Sequence, residues 1–238
     1  MKSIIFNTEM VKAILDGRKT QTRRVIPLKN NDLIFTGFVV SSTAKNREGY
    51  CAFGKNKEQD LEFIKPKYKV GDVLYVRESA KIVGYVDCDA HFQIVYQFLS
   101  DGKIESLTHD DLINKHKLED HEFQSKYLSK KYIEKLQKIP NGCLKEMARI
   151  FLKVTNVRVE RLQNISDEVC LKDGIENVTN YNPIELHRKF DTFRFNGCCY
   201  NSAKYAFKNI WNSTAKDGYR WEDNPYVFVY EFERIHDV

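Results

Sequence analysis

Many short strand-like runs, separated by turn residues, constrain the fold of this chain more than any other feature. The clearest is Pro225 to Ile235 (PYVFVYEFERI), which is rich in β-branched and aromatic residues. Val73 to Ser79 and Ala148 to Leu162 have the same character, whereas helical spacing is confined to a few short segments. Because strands outnumber helices and do not alternate with them, we predict an α+β fold. A compact β-barrel or curved sheet with peripheral helices fits this pattern better than a doubly wound sheet.

The N-terminal segment predicts a helix followed at once by a strand. Asn7 or Thr8 can cap the helix, and Gly17 can end it. Thr20 to Ile26 is rich in threonine and β-branched residues, which favours an extended segment. The basic motif GRKTQTRR, Gly17 to Arg24, is therefore predicted to lie at a helix-to-strand junction.

Three later helix starts are visible. Ser166 can cap a short helix that ends before Gly174. Asn182 with Pro183 marks a second start, and Asn201 or Ser202 can open a third helix.

Two polar stretches interrupt the strand pattern, at residues 28–66 and 84–147. We interpret them as insertions in a single domain that spans residues 1–238. Residues 28–66 show little periodicity beyond a possible strand from Leu33 to Val40. Residues 101–147 carry apolar side chains at helical intervals among many lysines, which predicts a helical insertion with a solvated face. This insertion is also a candidate surface for docking a protein partner.

Charge, cysteine spacing and the length of apolar runs limit the classes of protein to which this chain can belong. Lys and Arg number 38 against 33 Asp and Glu, a net charge of +5 that favours anionic partners only mildly. The six cysteines are scattered, which predicts reduced thiols and not a disulfide framework. No apolar run approaches the ~18 residues of a membrane span, and no signal-peptide core is present. We expect a cytoplasmic protein that does not enter membranes.

Four segments occur in one order along the chain. They are LDGRKTQTRR, VGDVLYVRES, VRVERLQNISDEVCLKDGI and the final strand together with the tryptophan-containing helix before it. This order resembles the ASCH family of PUA-like β-barrel proteins, in particular the longer members carried by phages and prophages. The resemblance implies a PUA-like β-barrel with peripheral helices, and phage biology as the setting.

The resemblance also implies two activities. ASCH proteins bind RNA or nucleobases, and small members are amidohydrolases that remove the acetyl group from N4-acetylcytidine. Carried onto this chain, the hydrolase residues are Lys19 as base, Thr22 as nucleophile and Asp173 as acid. The family has glutamate where this chain has Asp173, and the shorter side chain favours binding over hydrolysis. Glu78 in the second segment is the substitute candidate for the acid.

The chemistry of hydrolysis sets two conditions on these residues. Lys19 can accept a proton only if burial or neighbouring cations lower its pKa, and Arg18, Arg23 and Arg24 are candidate cations. Residues three apart on a regular strand face opposite sides, so Lys19 and Thr22 meet only if the chain between them is irregular.

Binding of RNA or a nucleobase requires fewer conditions of the motif than hydrolysis does. Its cations and polar groups can contact phosphates and base edges, and Tyr75 or Trp211 is the candidate platform on which a base stacks. The candidate binding residues are Arg18, Lys19, Thr20, Gln21, Thr22, Arg23, Arg24 and Tyr75.

Four interpretations of the chain stay open at this point. The leading one is binding of RNA or a modified nucleobase. The second is an amidohydrolase or another RNA-processing hydrolase, and the third is a phage assembly or interaction protein without catalysis. In the fourth, the motif's cations only offset a helix dipole. We predict no cofactor and no metal site, because the spacing of Cys88 and His91 is not followed by a second ligand pair.

Overall fold

The computed structural model describes residues 1–30, 32–40, 46–56, 59–88, 91–117, 135–139, 142–178 and 193–236. Its strands are β1 (Lys2–Ile5), β2 (Gln21–Val25), β3 (Ile34–Phe38), β4 (Cys51–Asn56), β5 (Gln59–Ile64), β6 (Val73–Arg77), β7 (Ala80–Cys88), β8 (His91–Phe98), β9 (Ile104–Thr108), β10 (Phe151–Arg161), β11 (Glu176–Asn177), β12 (Phe193–Phe195), β13 (Cys198–Tyr200) and β14 (Tyr226–Ile235). Its α-helices are α1 (Thr8–Leu15), α2 (Asp167–Lys172) and α3 (Ala203–Thr214). Shorter helical turns are a π-helix at Asp111–His116 and 3-10 turns at Lys145–Met147 and Trp221–Asp223. The fold is mixed α+β and rich in sheet, as the sequence predicts.

The capping residues identified in the sequence mark the ends of α1, α2 and α3 correctly. The side chains of Asn7, Ser166 and Ser202 each accept a hydrogen bond from a main-chain N–H in the first turn of the helix that follows. Gly17 has a φ of 75°, the left-handed conformation that glycine adopts without strain, just beyond the end of α1. The helix start predicted at Asn182 and Pro183 lies outside the described residues.

The chain divides into two compact units. The first contains Met1–Asp16, Val73–Lys153 and Arg234–Val238, and the second contains Gly17–Asp72 and Val154–Glu233. The whole basic motif therefore belongs to the second unit. The interpretation of the chain as one domain with two insertions stays a prediction.

In the first unit, β1 pairs in parallel with β6, and β6 pairs antiparallel with the first three residues of β10. Strands β7, β8 and β9 form an antiparallel sheet in that order. One core cluster consists of apolar side chains from this sheet and the turns near it: Ala80, Ile82, Phe92, Ile94, Tyr96, Phe98, Leu107, Leu112, Ile139, Cys143 and Met147.

The helical insertion predicted for 101–147 is wrong at its start. Residues 104–108 form strand β9, in which Leu107 is buried in the core while Ile104 and Ser106 on the opposite face are exposed. Residues 111–116 form a π-helix, and residues 118–134 lie outside the described part of the chain.

In the second unit, β14 lies between β10 and β2. Strand β2 pairs antiparallel with β14, in a register that joins Val25 to Val227 and Gln21 to Glu231. Helices α2 and α3 pack against each other over a core cluster that includes Cys170, Phe207 and Trp221.

Residues 28–66 contain more regular structure than the sequence indicates. Strands β3, β4 and β5 form an antiparallel sheet, where only one strand is predicted. In β4 four consecutive residues, Cys51 to Gly54, are buried, so the alternation that identifies a half-exposed strand is absent. No helix in the described part of the chain has the length and apolar content that crossing a membrane requires.

Candidate functional site

Three side chains of the basic motif converge on one carboxylate. Lys19 Nζ donates to the main-chain oxygen of Asp173 at 2.8 Å and lies 3.7 Å from Asp173 Oδ1. Gln21 Nε2 donates to Asp173 Oδ2 at 2.8 Å, and the Arg23 guanidinium forms an ion pair with the same oxygen. All four residues are buried. Alternate residues of an extended segment share one face, which explains why these three meet.

The same segment also binds the main chain at the end of α2. Thr20 N–H donates to the oxygen of Lys172 at 2.9 Å, and Arg18 donates to the oxygen of Gly174 at 2.8 Å. The last carbonyls of a helix carry partial negative charge and lack partners within the helix. Arg18 and Lys19 therefore stabilise the C-terminus of α2, whereas the helix-dipole interpretation concerned the helix that ends before Gly17.

A second layer of ion pairs surrounds these contacts. Arg158 donates to Gln21 Oε1 at 3.3 Å and pairs with both Glu160 and Glu231. Arg23 lies 3.5 Å from Glu160. Each buried charge thus has an opposite charge close by, which is the condition under which ions are tolerated inside a protein.

Burial lowers the pKa of three motif cations, Lys19, Arg23 and Arg24. It lowers the pKa of Lys19 well below its ordinary value, and the charges of Arg24 and Arg23 lower it further. The Asp173 carboxylate acts in the opposite direction, but it is shared with Arg23. Burial also lowers the pKa of Arg23, to about 10, against the stabilising charge of Glu160, so this guanidinium stays charged at neutral pH.

Thr22 lies on the other face of β2. It stands between Gln21 and Arg23 in the strand and opposite Tyr230 of β14, and it is buried. Because neighbouring residues of a strand project to opposite faces, its hydroxyl points away from the side on which Asp173 binds Gln21 and Arg23. The irregular turn that would bring Lys19 and Thr22 together ends before Thr22, since β2 begins at Gln21.

Two further candidates lie in the first unit and have their own partners there. The Glu78 carboxylate is buried, accepts two hydrogen bonds from Arg149 at 2.8 and 2.9 Å, and accepts a third from Ser100 at 2.8 Å. Tyr75 is half-buried in β6, in register with Ser3 and Phe151. The contacts of Glu78 are those of a structural ion pair.

A pocket of about 340 Å³ opens beside β2 in the second unit. One wall is formed by Arg23, Arg24, Val25 and Pro27. The other comes from the end of α3 and the turn after it, and consists of Trp211, Thr214, Ala215, Lys216 and Tyr219. The pocket thus combines aromatic side chains with cations, and its first wall begins inside the basic motif.

Trp211 and Arg23, which line the pocket, are held in place by contacts with neighbouring residues. Trp211 stacks on Phe207 with ring centroids 6.1 Å apart, and its indole N–H donates to the oxygen of Tyr219 at 2.7 Å. The Arg23 guanidinium lies 5.5 Å from the centre of the Phe207 ring. Its Nε is buried and has no hydrogen-bond partner in the described part of the chain. A buried donor without a partner is costly, but this atom is too deeply buried to contact a ligand in the pocket.

Part of this pocket is predictable from the sequence. Arg23, Arg24 and Trp211 are among the predicted site residues, whereas Lys216 and Tyr219 are not. The sequence signal for Lys216 and Tyr219 is their position around the turn at Gly218, just after the helix that carries Trp211. A single sequence does not show that this turn folds back beside β2.

Comparison of the chain with family models gives no match, and comparisons with curated proteins and with solved structures give none either. In the described ranges, no three His, Cys, Asp or Glu side chains are grouped as ligands for a metal ion. The assignment of function therefore depends on the motif, the network around Asp173 and the pocket.

Proposed function

We propose that this protein is an ASCH-type, PUA-like barrel protein that binds RNA or a modified nucleobase in the pocket beside β2. The observation that carries the proposal is the composition of the pocket, where the half-buried Trp211 faces a wall that contains Arg23 and Arg24. The order of the four ASCH-like segments supports the same class of protein.

The size and chemistry of the pocket fit one base with its sugar and phosphate. Ligand pockets commonly occupy about 300–1,000 Å³, and this one has about 340 Å³. Unpaired bases bind to proteins mainly by stacking on aromatic rings, while cations contact the phosphates. Trp211 and Tyr219 supply the rings, and the exposed Lys216 supplies a cation at the rim.

The network around Asp173 has a supporting role in this proposal. Asp173 and Glu160 hold the Arg23 guanidinium from one side, and the Phe207 ring lies close to it. The Arg23 side chain is itself only 1% exposed. The buried residues of the motif, Arg23 among them, therefore act by holding β2 in place beside the pocket, and not by side-chain contact with RNA.

Tryptophan fluorescence tests the proposal. The chain has two tryptophans, and only Trp211 borders the pocket, whereas Trp221 is 9% exposed and belongs to the core. We expect short single-stranded RNA or nucleosides to quench the wild type and Trp221→Phe, but to leave the emission of Trp211→Phe unchanged. Trp211→Ala should weaken binding by about 5- to 150-fold, because stacking contributes about 1–3 kcal/mol per base.

Arg220→Ala is the matched control, since it removes a largely exposed cation close in sequence to the pocket wall. It should change affinity little. Quenching that persists in Trp211→Phe would place the ligand elsewhere, and no binding by the wild type at low salt would end the proposal.

Hydrolysis is a second candidate because of one observation, the lowered pKa of Lys19 beside the carboxylate of Asp173. A neutral lysine is the form that accepts a proton from a nucleophile. Hydrolysis is the weaker candidate, because Thr22 lies on the opposite face of β2 from Lys19 and Asp173.

Release of cytidine from N4-acetylcytidine tests the hydrolase. If it is correct, Lys19→Met and Thr22→Val each abolish turnover, and the wild-type rate rises with pH through the pKa of Lys19, because only the neutral amine acts as a base. Wild-type turnover in Thr22→Val would exclude threonine as the nucleophile. Wild-type turnover in both variants would exclude the hydrolase mechanism.

A further inference from the structure

The free edge of strand β2 forms part of the pocket. Antiparallel strands hydrogen-bond through every second residue, and each such residue directs its N–H and C=O to the same side. Ile26 N–H donates to the oxygen of Tyr226, and Phe232 N–H donates to the oxygen of Thr20, both at 2.9 Å. The even-numbered residues of β2 therefore face β14.

The odd-numbered residues consequently direct their main-chain groups to the other side. Arg23, Arg24 and Val25 all line the pocket. Because neighbouring residues of a strand project to opposite faces, three consecutive lining residues indicate that the pocket lies along the edge of β2 and not on one face. Strand β2 is the last in the order β10, β14, β2, and no strand among the described residues is paired with its outer edge. An acceptor from Arg23 and a donor from Val25 thus stand next to each other along this edge, separated only by Arg24.

We infer that the pocket recognises an unpaired base through its Watson–Crick edge, with Arg23 C=O as acceptor and Val25 N–H as donor. The inference rests on the proposed function and specifies how the base is held. Every Watson–Crick edge presents a donor beside an acceptor, the complement of this pair. The exposed Lys216 then contacts the phosphate.

An added peptide strand is the other occupant that uses a free edge. The edge favours a base, because Pro27 follows Val25 at the next position on this side and has no N–H. Of the three odd-numbered residues of β2, Gln21 is buried and does not line the pocket, so two residues are left, which is short for strand addition. The aromatic wall of Trp211 and Tyr219 also matches a planar ligand better than an extended chain.

Methylated nucleosides test the inference on the unaltered full-length protein. We expect uridine and adenosine to bind by calorimetry, and N3-methyluridine and N6,N6-dimethyladenosine to bind about tenfold more weakly or worse, because the methyl groups block the edge. The 2′-O-methyl nucleosides are the matched controls, since they carry a methyl group away from the edge. They should bind within about threefold of the parents.

Val25→Pro tests the protein side of the contact. It removes the N–H that points to the pocket and leaves the hydrogen bond from Ile26 to Tyr226 in place, so the sheet should persist. Affinity for nucleosides should fall about tenfold or more, whereas Val25→Ala, which keeps the N–H, should bind as the wild type does. Thermal melting of both variants shows whether the fold is retained.

The outcomes separate this inference from the proposed function. If the wild type binds RNA but edge-methylated nucleosides bind as well as the parents, only the mode of recognition is overturned. If Val25→Pro does not fold, the methylated nucleosides alone decide. If no nucleoside or RNA binds, both proposals fail, and binding of a capped Thr-Val-Thr-Val peptide instead would assign the edge to strand addition.

Discussion

Asp173→Ala is expected to lower the free energy of unfolding by about 3–5 kcal/mol, the usual cost of leaving a buried charge without its partner. The Asp173 carboxylate compensates Arg23 and Lys19, whose side chains are both 1% exposed. Its removal also leaves the amide of Gln21 without one acceptor. Chemical denaturation at neutral pH, followed by circular dichroism, measures the loss.

The pH dependence of this variant provides a second measure. Without Asp173 the charged form of Lys19 is still less favourable, so its pKa falls further. The folded variant is then penalised most at pH values where Lys19 would carry a proton. We expect the difference from the wild type to shrink as the pH is raised through the lowered pKa of Lys19 in the folded protein, which lies well below that of an ordinary lysine, about 10.4.

Asp217→Ala is the control for the removal of a carboxylate. Asp217 pairs with Arg220 at 3.1 Å, but its side chain is 95% exposed, so its loss should cost less than about 1 kcal/mol. A cost for Asp173→Ala as small as that of Asp217→Ala would contradict the view that the network around Asp173 holds β2 and α2 together.

Arg149→Ala is expected to have an effect of similar size in the first unit. Arg149 binds both oxygens of Glu78, whose side chain is 1% exposed, and it also binds Asp101. The variant leaves the Glu78 carboxylate buried, with Ser100 as the remaining side-chain donor among the described residues. We expect a loss of about 3–5 kcal/mol in the same denaturation experiment.

Arg194→Ala provides a matched control, because Arg194 binds Glu176 through two nitrogens, as Arg149 binds Glu78. The side chains of Arg194 and Glu176 are 42% and 35% exposed, so this loss should stay below about 1 kcal/mol. NMR titration adds an independent readout, since the hydrogen bond from Arg149 is the main cause of the lowered pKa of Asp101. That pKa should rise towards its ordinary value in Arg149→Ala, and an unchanged pKa would contradict the contact.

The parts of the fold that the sequence predicts are those set by local chemistry. Asn7, Ser166 and Ser202 cap helices because a side-chain oxygen within three residues of an N–H needs no distant partner. Strand β14 is predicted because its composition alone identifies it. Strand β4 is not, since its consecutive buried residues give no alternation, and neither is the pairing of β2 with β14, which joins opposite ends of the chain.

The candidate site likewise has parts that the sequence predicts and parts that it does not. The motif is visible in the sequence, and burial with neighbouring cations lowers the pKa of Lys19 as the chemistry of hydrolysis requires. The role of Asp173 as an anion bound by three side chains is not visible, because it depends on how the end of α2 meets β2. The pocket wall formed by Lys216 and Tyr219 depends on tertiary structure for the same reason.

The contact between Arg23 and Asp173 spans 150 residues of the chain, which matters for the order in which the protein is made. At about 5–20 residues per second, a ribosome needs about 8–30 s to proceed from one to the other. Throughout that time the cations of the motif have no Asp173 to bind, and β2 has no β14 beside it. The nascent N-terminal half therefore presents an uncompensated basic strand to nearby RNA or to chaperones until translation of the second half is almost finished.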